Sequence, residues 1–237
     1  MRISTIMLIM FLSISTAKAQ LFGTQDMIEE KNISLRTWEE ENINNYSGTY
    51  SFGESEAESS LHVSIAGGII CAQLEKGDWE IKNLEMVGWH LSYENFTNVK
   101  IKGNQFYSDQ SNGEFVTFEF SNKKYKGLKL DNPPVQIGND GDYEIGAYSK
   151  ANQIGKYFNT KTEIISFDYL NVMNVEELKI MRNEIYARYH YMFKTEKMSG
   201  YFNKQEWYTG YHQNVDSFLT QIEKQNIIRI RNVEKSK

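Results

Sequence analysis

The chain has 237 residues, a formal net charge of −5 and 14% aromatic residues. That length is a prior for one or two domains. The single cysteine, Cys71, excludes an intrachain disulfide, and the lack of a basic excess argues against a nucleic-acid partner.

Charge is unevenly spread. Residues 20–164 carry 13 basic and 22 acidic side chains, whereas residues 165–237 carry 11 and 9. Two modules of different character fit this better than one continuous fold, and the expected class is an α+β multidomain protein.

Met1–Ala19 reads as a secretory signal peptide. Arg2 gives the charged start, Ile3–Thr16 is apolar, and Ala17-Lys18-Ala19 fits a cleavage site with Gln20 as the mature N-terminus. No cysteine follows the site, which argues against a lipoprotein anchor. No later stretch reaches the roughly 18 apolar residues that a membrane helix needs. The mature protein is therefore expected to be exported, in the periplasm or outside the cell. Residues 20–45 form an acidic leader that docks through Trp38, with Glu39-Glu40-Glu41 as a solvated charge run.

From 46 to 134 the apolar period is two, the period of a half-buried strand. Tyr46–Phe52, Leu61–Ile65, Ile69–Leu74, Trp79–Val87, Phe96–Ile101, Gln105–Tyr107, Phe115–Phe120 and Tyr125–Leu130 read as short strands. Gly67-Gly68, Gly77-Asp78, Gly103-Asn104 and Asn112-Gly113 read as turns between them. About eight strands at this spacing predict an antiparallel β-barrel or sandwich. Its interior is open to a ligand unless Trp79, Trp89, Phe106, Phe115 and Phe118 fill it. Cys71, inside an apolar run, reads as a small buried hydrophobe. The opening Tyr-x-Gly-x-Tyr and the succession of hairpins resemble lipocalin-type (calycin) barrels.

Asp131-Asn-Pro-Pro134 cannot continue a strand, and both prolines of the chain lie there. Residues 135–169 read as a connector. Within it, Asn139–Glu144 gathers oxygen ligands on a turn, but the spacing is not that of an EF-hand, and a solvated turn is expected.

Residues 170–237 read as a small three-helix domain. A helix begins near Val175, where Asn174 and Glu177 form a capping-box pattern. Leu178, Met181, Ile185, Tyr189 and Met192 lie on one stripe of it, and Glu184 and Arg188 are spaced i, i+4. Thr195–Asn203 reads as a second short helix interrupted by Gly200. Glu206–Gly210 is an aromatic loop. A last helix starts from Asn214 or Asp216 and runs to about Val233, with Val215, Leu219, Ile222, Asn226, Ile230 and Val233 as its stripe. An amide in that apolar line needs partners. A structural network of Arg182, Asn183, Glu184, Tyr186, Arg188 and Asn226 is expected to clamp the two long helices.

The run Arg182-Asn183-Glu184-Ile185-Tyr186-Ala187-Arg188, followed by Tyr191 and Phe193, resembles the YARHG domain, a small bacterial extracellular module. Tyr201-Phe202, Trp207-Tyr208, Leu219, Ile222, Glu223, Asn226 and Ile227 extend the resemblance over Leu170–Val233. It implies a cell-envelope setting and carries no established activity. The family's His-Gly pair is Tyr189-His190 here, so either the helix runs one residue further or His190 takes a left-handed turn.

The four histidines form no HExxH or i, i+4 pair, and no nucleophile motif is present. No catalytic residue, cofactor or metal is assigned. Arg188, Tyr191, Trp207, Tyr208 and Tyr211 form the candidate binding set, an aromatic platform for sugar rings with polar partners. The expected function is a non-enzymatic envelope module that binds cell-wall glycan, such as peptidoglycan, or another envelope protein. The alternative is a small-molecule binder or hydrolase that uses the interior of the β domain.

Overall fold

The computed structural model describes residues 33–53, 58–82, 85–120, 122–133, 143–151 and 153–237, with the side chains of 81, 82 and 85–87 left aside. Met1–Ala19, expected to be a signal peptide, and positions 139–142 of the expected oxygen-rich turn lie outside the described residues.

Ten strands form one antiparallel sheet: β1 (Arg36–Thr37), β2 (Gly48–Phe52), β3 (Ser59–Ala66), β4 (Ile69–Lys82), β5 (Glu85–Asn95), β6 (Lys100–Lys102), β7 (Gln105–Tyr107), β8 (Gly113–Phe120), β9 (Lys123–Leu130) and β10 (Glu144–Ser149). Eight of them, β2 to β9, fall in the stretch whose alternation predicts strands. The leader adds β1, which pairs with β8, and β10 enters between β2 and β9 from the stretch read as connector. The order is β5-β4-β3-β2-β10-β9-β8-β7-β6, an open sheet curled into half a barrel.

Alternation sets the two faces. Leu61, Val63 and Ile65 of β3 turn inward with Ala72 and Leu74 of β4, and His62 and Ser64 turn outward. Tyr46, Tyr50, Phe52, Phe106, Phe115, Leu128 and Leu130 complete the core on the concave side, each fully buried. Trp38 docks into it from the leader, edge-on to Tyr46 and Phe115, with Tyr46 Oη donating to its carbonyl. Phe118 lies on the opposite face with Val116 and Ile145, under Ile33 and Leu35.

Two expectations change. Gly77-Asp78 is no turn, because β4 runs through it without a break. Gly77 instead makes room for an aromatic ring: a Cβ there would lie 2.0 Å from Trp89 Cζ2. Trp79 and Trp89 do not fill the interior. They form a cross-strand, edge-to-face pair on the β4–β5 arm and are about 40% exposed, 38% and 41% respectively. Gly67, Gly68 and Gly103 do sit in hairpin turns with positive φ.

Four helices follow: α1 (Phe167–Asn171), α2 (Val175–Ala187), α3 (Glu196–Phe202) and α4 (Gln221–Ser236). The Asn174–Glu177 capping box starts α2 as expected. The last helix starts later than expected, because Thr220 and Glu223 form the stronger reciprocal cap. Val215 and Leu219 are buried ahead of it in non-helical chain. α3 runs through Gly200 unbroken. The chain leaves α2 after Ala187, and His190 adopts a left-handed φ of 59°. Met192 is therefore carried off the buried stripe that Leu178, Met181, Ile185 and Tyr189 occupy. Ala187, on the other side of α2, is buried too, under Met198, Phe202 and Tyr208.

Phe115 touches the rings of Trp38, Tyr46, Tyr50 and Phe106, so Phe115→Ala opens a cavity at the centre of the half-barrel. The expected loss is about 3–5 kcal/mol, read as a lowered urea midpoint with an unchanged slope.

Candidate functional site

The outward face of β3, β4 and β5 is polar where a solvent-facing or packed surface begins. In register, Thr49, His62, Gln73 and Asn95 lie side by side across four strands, and Glu75 lies opposite Tyr93. The helical unit is docked on this face. Asn95 Nδ2 donates to the carbonyls of Ser217, Phe218 and Leu219, and Gln73 Nε2 donates to that of Phe218. The free edge of β5 is met by Tyr211, whose hydroxyl accepts from Leu91 N, and by His212, whose Nε2 donates to Leu91 O.

A buried polar clasp holds residues 155–165 against α2 and α4. Glu184 accepts from Lys156 N at 2.9 Å and Tyr157 N at 2.7 Å. Gly155, at φ 89°, permits this approach: a Cβ there would lie 2.4 Å from Glu184 Oε1. Arg188 donates to Glu184 Oε1 at 3.2 Å, to Thr160 Oγ1 at 2.6 Å and to Tyr157 O at 3.4 Å. Asn226 accepts from Ile165 N and donates to Thr160 O and Glu163 O, all within 2.9 Å. Its partners are thus backbone groups of this segment, in place of the expected Arg182, Glu184 and Arg188. An amide supplies a donor and an acceptor on one flat group, which suits it to backbone.

Glu223 ties α4 to the motif. Its Oε2 accepts from Thr220 N at 3.0 Å and from Tyr189 Oη at 2.6 Å, and its Oε1 lies 3.7 Å from Arg188 Nη2. A tyrosine hydroxyl has one proton, which goes to the carboxylate, and Gln73 Oε1 lies 3.0 Å from the same oxygen.

A cavity of about 230 Å³ remains at the seam between sheet and helical unit. His62, Glu75 and Tyr93 wall it from the sheet, Lys161 from the clasped segment, and Arg188, Tyr189, His190 and Trp207 from the helical side. His62 is held at both nitrogens: Nδ1 takes the Thr49 hydroxyl at 2.9 Å and Nε2 donates to Glu75 at 3.2 Å. His190 Nδ1 donates to Thr209 O, and its ring stacks on Tyr211, which stacks in turn on His90.

Burial sets the electrostatics. It lowers the pKa of His62 and of His190, favouring their neutral forms. It also lowers the Lys161 ammonium, against the attraction of Glu223 and Glu75. Burial pushes the Glu75 carboxylate up, but the hydrogen bond from His62 and nearby positive charge, Lys161 included, outweigh it and leave its pKa below the usual value. Burial raises Glu184 in spite of Arg188. The arrangement can present a cation, a carboxylate and aromatic walls to a small guest. Neither nitrogen of His62 is free to take up a proton from one. Among the described residues no group of three or more His, Cys, Asp or Glu side chains could hold a metal ion.

Of the candidate binding set, the cavity collects Arg188 and Trp207. Tyr208 is buried against Phe193 and Phe202, with its hydroxyl donating to Tyr191 O. Tyr211 is the middle ring of the histidine stack. Tyr191 faces a separate groove beside Arg182, Asn183 and Tyr186. The five do not share one face. In the expected network, Arg182 pairs with Glu234 at 2.7 Å, Asn183 donates to Lys179 O, and Tyr186 Oη accepts from Arg231, all apart from the clasp. Sequence reasoning missed His62, Glu75 and Lys161. The signal for His62 was its polar place in an alternating strand, whereas nothing local marked Lys161.

The geometry defines a small helical module that clasps the turn-rich segment ahead of it through a buried Glu-Arg-Asn network and docks on a β-sheet. Residues 156–235 match the YARHG domain, and the chain carries a YARHG domain there. This is an extracellular-type module. The match begins at the segment that Glu184 clasps. No curated protein and no solved structure matches the chain. No helix among the described residues is long and apolar enough to cross a membrane.

Arg188→Met leaves two buried carboxylates without their cation, and a loss of about 3–5 kcal/mol is expected in urea unfolding. The histidines give a pH signature. A folded pKa below the unfolded one means stability present above about pH 6.5 and lost as pH falls through the folded value. The urea midpoint should fall between pH 7.5 and 5.5, and His62→Gln should flatten that slope.

Proposed function

We propose that the protein is exported and serves as a non-enzymatic binding module of the cell envelope, with peptidoglycan as its ligand. The seam cavity is its ligand seat. One observation carries the reading: Arg188, Tyr189 and His190, at the end of the YARHG motif, wall a cavity together with Trp207 and the polar face of the sheet. Its volume is below the roughly 300–1,000 Å³ of sites for drug-sized ligands, so the guest is a small group, such as one unit of a larger polymer. The packed concave side of the sheet, with Tyr50, Phe106 and Phe115 fully buried, speaks against an interior site for a small molecule. The second reading, another envelope protein as partner, is favoured only by the exposed Trp79–Trp89 pair on the β4–β5 arm.

Sedimentation of the protein with isolated peptidoglycan sacculi tests this. The wild type should co-sediment. Trp207→Ala, at a half-buried position, should weaken retention at least about tenfold while the melting temperature changes little. Retention of Trp207→Ala at the wild-type level would remove the cavity from consideration.

A further inference from the structure

Two of the charged side chains that wall the seam cavity do not meet, and the third, Arg188, is taken up by Glu184 and Glu223. The two are Lys161 and Glu75. Lys161 feels the charges of Glu75 and Glu223, yet its ammonium makes no ion pair or hydrogen bond among the described residues. Among the described residues Glu75 is paired with His62 alone, and burial favours the neutral imidazole there. Of the other nearby carboxylates, Glu184 is engaged by Arg188 and two backbone amides, and Glu223 by Tyr189 and Thr220 through Oε2, with its Oε1 facing Arg188 at 3.7 Å. Lys161 is half-buried, so it has given up part of its hydration without a protein acceptor in return. Both charges thus face the same small space, with Tyr93 and Trp207 among its walls.

We propose that this cavity recognises a zwitterionic α-amino-acid unit, with its carboxylate on Lys161, its ammonium on Glu75 and its side chain against Trp207 and Tyr93. The charge pattern selects this class over simpler ones. A neutral sugar leaves Lys161 without an anion and Glu75 with the neutral His62 ring as its partner. A lone anion meets the Glu75 carboxylate, and a lone cation meets Lys161. A guest that carries both charges a few bonds apart satisfies the two walls together, and charge-assisted hydrogen bonds are the stronger kind. Lys161 has a flexible stem that can follow the guest, and Glu75 is held in place by the His62 ring. The inference rests on the cavity as ligand seat and names the chemical group that it takes.

The test is calorimetric titration of the full exported chain, residues 20–237, with leucine, leucine methyl ester and N-acetylleucine at pH 7. The ester lacks the carboxylate, and the acetylated compound lacks the ammonium. Leucine should bind, and each blocked compound should bind at least about tenfold more weakly. In Lys161→Met, leucine and its methyl ester should become alike. In Glu75→Gln, leucine and N-acetylleucine should become alike. Equal affinity of the wild type for all three compounds overturns the proposal, as does failure of leucine, alanine and glycine all to bind. The ligand series uses the unaltered protein, so it decides the matter even if a variant does not fold. Sacculi that still sediment the wild type while amino acids do not bind leave the seat in place and reject the zwitterion. Loss of both rejects the seat as well.

Discussion

The clasp of Glu184, Arg188 and Asn226 on residues 155–165 is the constraint on which the rest of the helical unit depends. These side chains lie on two helices far apart in sequence, and the segment they hold belongs to neither. The segment turns through a short 3-10 helix, Phe158–Lys161, which pairs only some of its backbone groups, and a buried group left unpaired would cost about 1–3 kcal/mol. The clasp supplies those partners. It also sets Lys161 and Thr162 at the wall of the seam cavity, since both lie between the two points where Arg188 and Asn226 grip the chain.

The sheet contributes through the separation of its faces. Its concave side is closed by aromatic rings around Phe115 and has one task, to hold the half-barrel together. The outer side of β3, β4 and β5 carries Thr49, His62, Gln73, Glu75 and Asn95, a polar row that in isolation would simply face water. Docking of the YARHG domain turns that row into an interface. Gln73 and Asn95 receive the carbonyls of residues 217–219, whereas His62 and Glu75, further along, border space that the helical unit leaves unfilled. The same packing covers the edge of β5, a place where an open sheet would otherwise invite another strand.

The polar groups at the seam belong to two electrostatic sets. Arg188 is shared by Glu184 and Glu223 inside the helical unit, one cation between two carboxylates. His62 and Glu75 form the second set on the sheet, joined by a hydrogen bond and held by Thr49. Lys161 lies within the field of both and is bound to neither.

Local patterns in the sequence determined much of this protein. The period of two between 46 and 134 marked most of the strands, because alternation is how a half-buried strand is written, but Trp79–Val87, read as one strand, is the end of β4 and the start of β5, and the rest of β5 was not read. The Asn174–Glu177 box marked the start of α2, and the motif Arg182–Arg188 identified the domain. The amide at 226, set in an apolar stripe, announced a buried polar contact. Only the tertiary structure decided where these features met. Gly77 looked like a turn, but the reason for glycine there is the ring of Trp89 from the next strand. Thr220 took the cap from Asn214 and Asp216, because Glu223 was already engaged by Tyr189 and Arg188. The partners of Asn226 were backbone groups, which carry no mark in the sequence. The cavity itself joins β3, β4, β5, the clasped segment and the end of α2, and no spacing along the chain encodes the distance between residues such as Glu75, Lys161 and Arg188.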